Sequence, residues 1–203
     1  RIEGRPVGII ANDTRHMAGA ITADAGDKAA RFVNLCDAYG FGIISLVDTP
    51  GMMVGPDAER TGLVRHTSRL LVAAAQTRVP LIGVVLRRGY GLGAQAMLGG
   101  STHTPVMTLA WPSAHLGPMG LEGAVRLAMA KELAAMDEDT REATVRDLTA
   151  QMQEHASALN VARHGEIDDV IDPVETRGVI ARVLAAAADE GGLRPRRRPL
   201  DVW

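Results

Sequence analysis

Blocks of apolar and polar positions alternate along the first half of the chain, and each block predicts one element. Short apolar runs rich in β-branched residues predict buried strands at 7–11, 41–47 and 79–86. Between the first two strands, "DAGDKAARFVNLCDAYG" predicts a helix that Asp24 caps and Gly40 ends. The apolar positions predicted to share one face of this helix are Ala29, Phe32, Val33, Cys36 and Tyr39.

The remaining pattern continues the alternation of helices and strands. A second helix is predicted from about 58 to 77, with these positions broadly inward: Leu63, His66, Leu70, Val72 and Ala74. The elements predicted beyond the third strand are helices at 92–98, 120–133, 138–159 and 174–188 and strands at 105–111 and 168–173. This order favours parallel strands joined by right-handed crossovers, so we expect one α/β domain over 1–203 with C-terminal helices.

Composition narrows the class of protein. The chain has 203 residues, of which 46% are hydrophobic, and a net charge of -2, so it is expected to be globular without general attraction for nucleic acid or membranes. The basic run "RPRRRP" at 194–199 is expected to lie in a solvated tail over 190–203. The single Cys36 excludes an internal disulfide, is expected in the core and fits a reducing cytoplasm.

The two ends of the chain add further expectations. No signal peptide and no apolar run of about 18 residues are found, so we expect a cytoplasmic protein without membrane contact. The sequence starts at Arg1 without a methionine and soon enters a strand, so we expect a fragment of a longer chain.

One glycine motif raises a first hypothesis about chemistry. In "LRRGYGLGAQAM", Gly89, Gly91 and Ala94 match the weak G-x-G-x-x-A form of the dinucleotide-binding fingerprint. That fingerprint needs an acidic residue about 20 positions later, and the window "VMTLAWPSAH" contains none. A dinucleotide site is therefore disfavoured, and the glycines need another explanation.

The sequence motifs of other common enzyme classes are absent or incomplete in this chain. "DTPG" at 48–51 has the D-x-x-G form of GTPases, but no phosphate-binding P-loop is present, so a turn at a strand end is favoured. The six histidines form no H-E-x-x-H pattern, so we expect no metal, and His66 is expected to be a core histidine. No serine lies in a G-x-S-x-G elbow.

A site made of backbone groups remains. Glycines between a strand and a helix N-terminus let amide N–H groups converge, and such donors stabilise an oxyanion in acyl and enolate chemistry. "SAHLGPMG" at 113–120 also precedes a helix, and its Gly117 and Gly120 fit turn residues or a ligand-shaping role equally well.

The chain resembles the C-terminal half of the carboxyltransferase (beta) subunit of biotin-dependent acyl-CoA carboxylases. The resemblance covers most of residues 4–182 in the right order. The motifs that carry it are "GRPVGIIAND", "DKAARFVNLCDAYGFGIISLVDTPG", "RHTSRLL", "VPLIGVVLRRGYG", "AWPSAHLGPMGLEGAV" and "GEIDDVIDPVETR".

This resemblance implies a fold, a reaction and partners. The fold is a crotonase-like (ClpP/crotonase) superhelix of ββα units with C-terminal helices. The C-terminal half receives carboxybiotin from the carrier of a biotin carboxylase component, while the N-terminal half of another protomer holds the acyl-CoA, which implies a homo-oligomer. Carboxybiotin releases CO2, biotin takes the α-proton of the acyl-CoA, and the enolate attacks the CO2.

The resemblance also assigns residues. Leu92 and Gly93 would supply the backbone N–H groups of the biotin-side oxyanion hole, and Gly91 would shape the turn. Gln95 falls where family members vary with acyl-chain preference. The other residues expected to bind substrate or biotin are Gly89, Tyr90, Met119 and Gly120.

Two departures from the family pattern matter. The usual G-G-A or G-G-G is Gly91-Leu92-Gly93 here, and leucine adopts a positive φ only with difficulty. Leu92 and the long Gln95 therefore point to larger acyl substrates than those of most family members. The N-terminal half is absent from these residues, so the chain alone is expected to be catalytically silent.

Three alternatives stay open at the level of sequence. A decarboxylase or a crotonase-type hydratase would share the fold, although no pair of glutamates flanks the glycine motif to activate water. A divergent half-subunit that only scaffolds an acyl-CoA carboxylase complex is the third, and Leu92 is the feature that favours it.

Overall fold

The computed structural model describes residues 1–189, with the side chains of 1–187. Six strands form one parallel sheet, and they are β1 (Val7–Ala11), β2 (Gly42–Thr49), β3 (Leu81–Tyr90), β4 (Met107–Ala110), β5 (His115–Gly117) and β6 (Asp169–Val170). The strand order is β1-β2-β3-β4-β6, and β5 pairs with the end of β3. The expected tail over 190–203 lies outside the described residues.

Nine α-helices of this described part surround the sheet. They are α1 (Ala23–Tyr39), α2 (Pro56–Glu59), α3 (Leu63–Ala75), α4 (Gly91–Met97), α5 (Leu121–Ala128), α6 (Ala130–Ala134), α7 (Glu138–Ala156), α8 (Ala158–Arg163) and α9 (Thr176–Asp189). Short 3-10 turns lie at Met17–Gly19 and Pro173–Glu175. The predicted order of helices and strands is confirmed, except that β5 was not predicted and that three of the predicted helices are divided.

The two faces of the sheet are covered by different helices. Helices α1 and α3 bury residues such as Val33 and Leu70 against Val47 on one face. Helix α9 buries Ile180 and Leu184 on the other face, against a cluster that contains Ile44, Ile82 and Val84. The central strands β2 and β3 are apolar over most of their length because both of their faces are covered.

Helix α1 begins slightly earlier than predicted. Thr22 caps it, since its Oγ1 accepts a hydrogen bond from the Ala25 N–H at 3.3 Å, so the prediction of Asp24 as the cap is wrong. Gly40 ends the helix with a φ of 71°, as predicted. Tyr39 was predicted to face inward and is instead 59% exposed. It is the last residue of the helix, and its ring stacks on that of Phe41.

Three predicted helices are each interrupted in the structure. Gly62, with a φ of 72°, separates α2 from α3, so the helix predicted over 58–77 is two helices. Met129 leaves helical geometry between α5 and α6, and Ser157 does so between α7 and α8. In α3, Val72 was predicted to face inward and is exposed, whereas Leu63, Leu70 and Ala74 are buried as predicted.

Asp27 clamps α1 to α3. Its Oδ1 accepts from Arg69 Nη1 at 2.7 Å, and its Oδ2 lies 2.8 Å from His66 Nδ1. His66, predicted to be a core histidine, is therefore a half-buried partner of a carboxylate. Burial raises the pKa of Asp27, but the hydrogen bonds from His66 and Arg69 outweigh this effect and lower its pKa overall.

The Asp27 clamp makes a testable contribution to stability. We expect Asp27→Asn to lower the free energy of unfolding by about 1–3 kcal/mol at pH 7, because it removes the carboxylate that binds both Arg69 and His66. The lowered pKa means that the stabilisation is present above the unfolded value of about 3.9 and is lost as the pH falls through the folded pKa. Denaturant titrations at several pH values measure this difference.

Asp24 provides the matched control, since it lies in the first turn of the same helix and is exposed. Asp24→Asn should change the unfolding free energy less than Asp27→Asn does. Equal effects of the two substitutions, or a difference that does not depend on pH, would contradict the clamp.

Candidate active site at the start of helix α4

Strand β3 runs directly into helix α4 at the glycine motif. The strand was predicted over 79–86 but continues to Tyr90, so Gly89 and Tyr90 belong to it. Gly91 makes the transition with a φ of 58°, a conformation that glycine adopts without the penalty of a side chain. No separate loop lies between the strand and the helix.

The positive φ in this motif falls on Gly91 and not on Leu92. Among the described residues, the non-glycine positions with positive φ are Glu3, Met17 and Ala18. The difficulty that a leucine has in adopting a positive φ therefore does not arise at Leu92. The Leu92 side chain points outward and is 59% exposed, and its N–H lies in the first turn of α4, where amide groups have no partner within the helix.

Gly93 packs against the backbone of another loop. A Cβ atom built on Gly93 would lie 2.6 Å from the carbonyl carbon and 2.8 Å from the Cα of Gly51. Real Cβ atoms do not approach a backbone this closely. A side chain at position 93 would therefore push α4 away from the turn "DTPG" at 48–51.

The turn at 48–51 is held by Thr49, whose side chain is fully buried. Its hydroxyl donates to the Gly51 carbonyl oxygen and accepts from the Gly51 N–H, both at 3.1 Å. The Ile21 N–H donates to the same carbonyl at 3.0 Å. The turn predicted from sequence thus supports the start of α4, a role that sequence reasoning missed.

A sequence signal for this role exists. Ligand sites of parallel sheets lie beyond the carboxyl ends of neighbouring strands, and Gly51 and Gly91 follow the ends of the adjacent strands β2 and β3.

A second turn flanks the motif on the other side. A Cβ on Gly91 would lie 2.9 Å from the Pro118 carbonyl oxygen, and Tyr90 is paired with Gly117 of β5. Strand β5 was not predicted. It brings the turn that contains Met119 and Gly120 beside the start of α4, so these two predicted ligand residues lie near the glycine motif.

The remaining predicted ligand residues differ in exposure. Tyr90 is buried beside Leu121 and Ala156, and this burial raises the pKa of its hydroxyl. Gly89 is buried in β3, and Gln95 is exposed one turn into α4. All of these residues lie in or beside one short segment, but Gln95 and Leu92 alone present long side chains to solvent from α4.

Asp48 is the first residue of the turn at 48–51, and its carboxylate is paired with two arginines. Its carboxyl oxygens accept hydrogen bonds from Arg87 Nε and Arg88 Nε, each at 3.1 Å, while Arg88 Nη2 donates to the Ala18 carbonyl oxygen. These contacts tie the ends of β2 and β3 together. The pairing leaves Asp48 poorly placed to act as a general base.

The described residues hold neither a candidate metal site nor a candidate membrane-spanning helix. Within residues 1–189, no three His, Cys, Asp or Glu side chains are grouped so that they could hold a metal ion, and the expected absence of a metal stays a prediction. None of the helices in this part combines the length and the apolar character needed to cross a membrane.

Sequence comparison gives a family match over nearly the whole chain. Residues 1–198 match the family described as the carboxyl transferase domain. The propionyl-CoA carboxylase beta chain of Saccharopolyspora erythraea is 37% identical over 98% of this chain, and the match covers 37% of that relative. The chain thus spans little more than a third of the length of the curated relatives it matches.

Solved structures give a consistent result. A single-chain, multi-domain long-chain acyl-CoA carboxylase is 49% identical, with a TM-score of 0.83 over 90% of this chain and 18% of its own. Transcarboxylase 12S, described with a hexamer assembly and bound methylmalonyl-CoA, is 38% identical with a TM-score of 0.83, over 100% of this chain and 38% of its own. The crotonase-like α/β fold implied by the resemblance is confirmed.

Proposed function

Because this chain belongs to the carboxyl transferase domain family, we propose that it is the half-domain of a biotin-dependent acyl-CoA carboxylase that passes a carboxyl group from carboxybiotin to the α-carbon of an acyl-CoA. The observation that carries this proposal is the family match over residues 1–198, which contains the glycine-lined start of α4. Carboxybiotin would arrive on a separate carrier and supply the carboxyl group as CO2.

The start of α4 suits the ureido oxygen of biotin. As the carboxyl group leaves, negative charge develops on this oxygen, and preorganised N–H donors stabilise such charge. Leu92 and Gly93 are proposed to donate these two hydrogen bonds. Gly91 turns the chain into the helix, and the absence of side chains at 91 and 93 lets the flanking turns approach it.

The chain's share of the relatives' length supports a second part of the proposal. We propose that the N-terminal half of a second protomer holds the acyl-CoA, so that the complete enzyme is a homo-oligomer. We also propose that this enzyme works in the cytoplasm. The hexamer described for transcarboxylase 12S supports this arrangement. The isolated chain is then expected to be silent, as predicted from its sequence.

The substrate is proposed to carry a longer acyl chain than acetyl or propionyl. Leu92 is 59% exposed and Met119 is 39% exposed, so apolar surface borders the candidate site on two sides. The exposed Gln95 lies beside them on α4. Among the solved structures, the 49% identity to a long-chain acyl-CoA carboxylase, compared with 38% to transcarboxylase 12S with bound methylmalonyl-CoA, supports the same preference.

The test uses the complete protein with its biotin carboxylase and carrier components. Transfer of labelled bicarbonate to acetyl-, propionyl- and palmitoyl-CoA is measured, and we expect kcat/KM to be at least about tenfold higher for palmitoyl-CoA, since several methylenes distinguish the substrates. A preference for propionyl-CoA would contradict the chain-length proposal alone. Transfer to none of the three would contradict the carboxyltransferase proposal and favour a scaffold.

A further inference from the structure

The turn Met17–Gly19, which lies between β1 and α1, has an unusual backbone. Its three residues have φ values of 47°, 54° and 88°, all in the left-handed region. Methionine and alanine adopt this region at an energetic cost, because the Cβ atom crowds the following carbonyl oxygen. Such a conformation persists only where surrounding contacts hold it. The contacts around this segment, here called the left-handed turn, therefore decide its shape.

The left-handed turn packs on the backbone of the turn that supports α4. A Cβ atom built on Gly19 would lie 2.4 Å from the Asp48 carbonyl oxygen, a separation that real Cβ atoms do not reach. Two residues later, the Ile21 N–H donates to the Gly51 carbonyl oxygen at 3.0 Å. A shift of the left-handed turn is therefore passed to Gly51, the residue on which Gly93 rests.

Asn12, the first residue after β1, joins the two turns through its carboxamide. Its Oδ1 accepts a hydrogen bond from the Asp48 N–H at 3.1 Å, and its Nδ2 donates to the Gly19 carbonyl oxygen at 3.3 Å. The backbone N–H of Asn12 donates to the Leu46 carbonyl oxygen of β2, which holds this residue beside the end of that strand. A carboxamide combines an acceptor and a donor, whereas a carboxylate offers acceptors alone.

Arg88 gives the left-handed turn a second contact. Its Nη2 donates to the Ala18 carbonyl oxygen at 2.7 Å, and its Nε donates to Asp48 Oδ1 at 3.1 Å. The carbonyl oxygens of Ala18 and Gly19 thus each accept from a side chain. Arg88 also belongs to β3, whereas both hydrogen bonds described for the Asn12 side chain end on the backbone of the two turns. Substitution of Asn12 is therefore the more selective test of the left-handed turn.

We propose that Asn12 is a positioning residue for carboxyl transfer, an inference that rests on the function proposed above. Its carboxamide holds the left-handed turn on Asp48, and the hydrogen bond from Ile21 then holds Gly51 in place. Gly51 in turn sets the position of Gly93, whose N–H is the proposed donor to the ureido oxygen of biotin. Asn12 acts through these backbone contacts and not through contact with the substrate.

Amide exchange in the complete protein tests the structural part of this inference. In Asn12→Ala, the amide protons of Asp48 and Ile21 should exchange at least about tenfold faster, since the first loses its acceptor and the second follows the displaced turn. The amide of Val84, which is fully buried in β3, should keep its rate. An equal acceleration at all three amides would show a general loss of stability and would overturn the inference, as would unchanged rates.

A double-mutant cycle tests the catalytic part. Asn12→Ala and the isosteric Asn12→Asp, which lacks the donor to Gly19, should each lower kcat by about tenfold and leave the KM for acyl-CoA unchanged. Because Asn12 acts through Gly93, Asn12→Ala combined with Gly93→Ala should lower kcat no further than Gly93→Ala alone. Losses that multiply in the double variant would contradict the positioning role.

Asn160→Ala is the matched control. Asn160 Nδ2 donates to the His155 carbonyl oxygen at 2.8 Å where α7 meets α8, so this variant also loses a hydrogen bond from an asparagine side chain to the backbone. It should keep the kcat of the natural protein. A natural protein that transfers no carboxyl group would contradict the proposed function, whereas an Asn12→Ala enzyme with the natural kcat would overturn the positioning role alone.

Discussion

Gly93→Ala is expected to lower kcat for carboxyl transfer in the complete enzyme by about 10²-fold or more, as expected when an oxyanion-hole donor is lost or displaced. The added methyl group would lie 2.6 Å from the Gly51 carbonyl carbon, so α4 and the turn at 48–51 must move apart. That movement displaces the N–H groups of Leu92 and Gly93 from the position proposed for the biotin oxygen. Steady-state assays with carboxylated carrier measure the change.

Gly123→Ala is the control for this prediction. A Cβ at Gly123 on α5 would meet only the end of the Met119 side chain at 3.8 Å, which is an ordinary contact. This variant should retain the natural kcat. In Gly93→Ala, the KM for acyl-CoA should stay unchanged, because the substitution lies on the biotin side of the site. A Gly93→Ala enzyme with the kcat of the natural enzyme would contradict the proposed site.

Leu92→Pro is expected to lower kcat by about 10²–10³-fold while the protein stays folded. Proline is tolerated in the first turn of a helix, where its missing N–H has no acceptor within the helix. The substitution thus removes one donor proposed for the biotin oxygen. The melting temperature and the circular dichroism spectrum establish whether the fold is retained.

Two further variants at this position separate the backbone from the side chain. Leu92→Ala and Leu92→Gly keep the N–H and should keep kcat close to its natural value, because the positive φ of the motif lies on Gly91. A large gain of activity in Leu92→Gly would show that leucine weakens the site. A proline variant as active as the alanine variant would exclude the Leu92 N–H as a donor.

Much of the fold is predictable because its signals are local. The apolar face of α1, the glycine that ends it and the β-branched runs of β2 and β3 each lie within a few consecutive residues. The breaks in the three interrupted helices were missed because the sequence signals for them are weak. Gly62 is one glycine in a helical pattern, and Ser157 ends one helix and caps the next. Strand β5 was missed because its three residues are too few to show an alternation of apolar and polar positions.

The candidate site depends on contacts that local sequence signals do not predict. The sequence alone determined the motif Gly89–Gly93, the family resemblance and the position of the motif between a strand and a helix. The tertiary structure decided that the positive φ falls on Gly91, that Gly93 rests on Gly51, and that Met119 lies close by. These contacts join residues far apart in the chain, and they depend on which strands are neighbours in the sheet, a property that no local window of sequence contains.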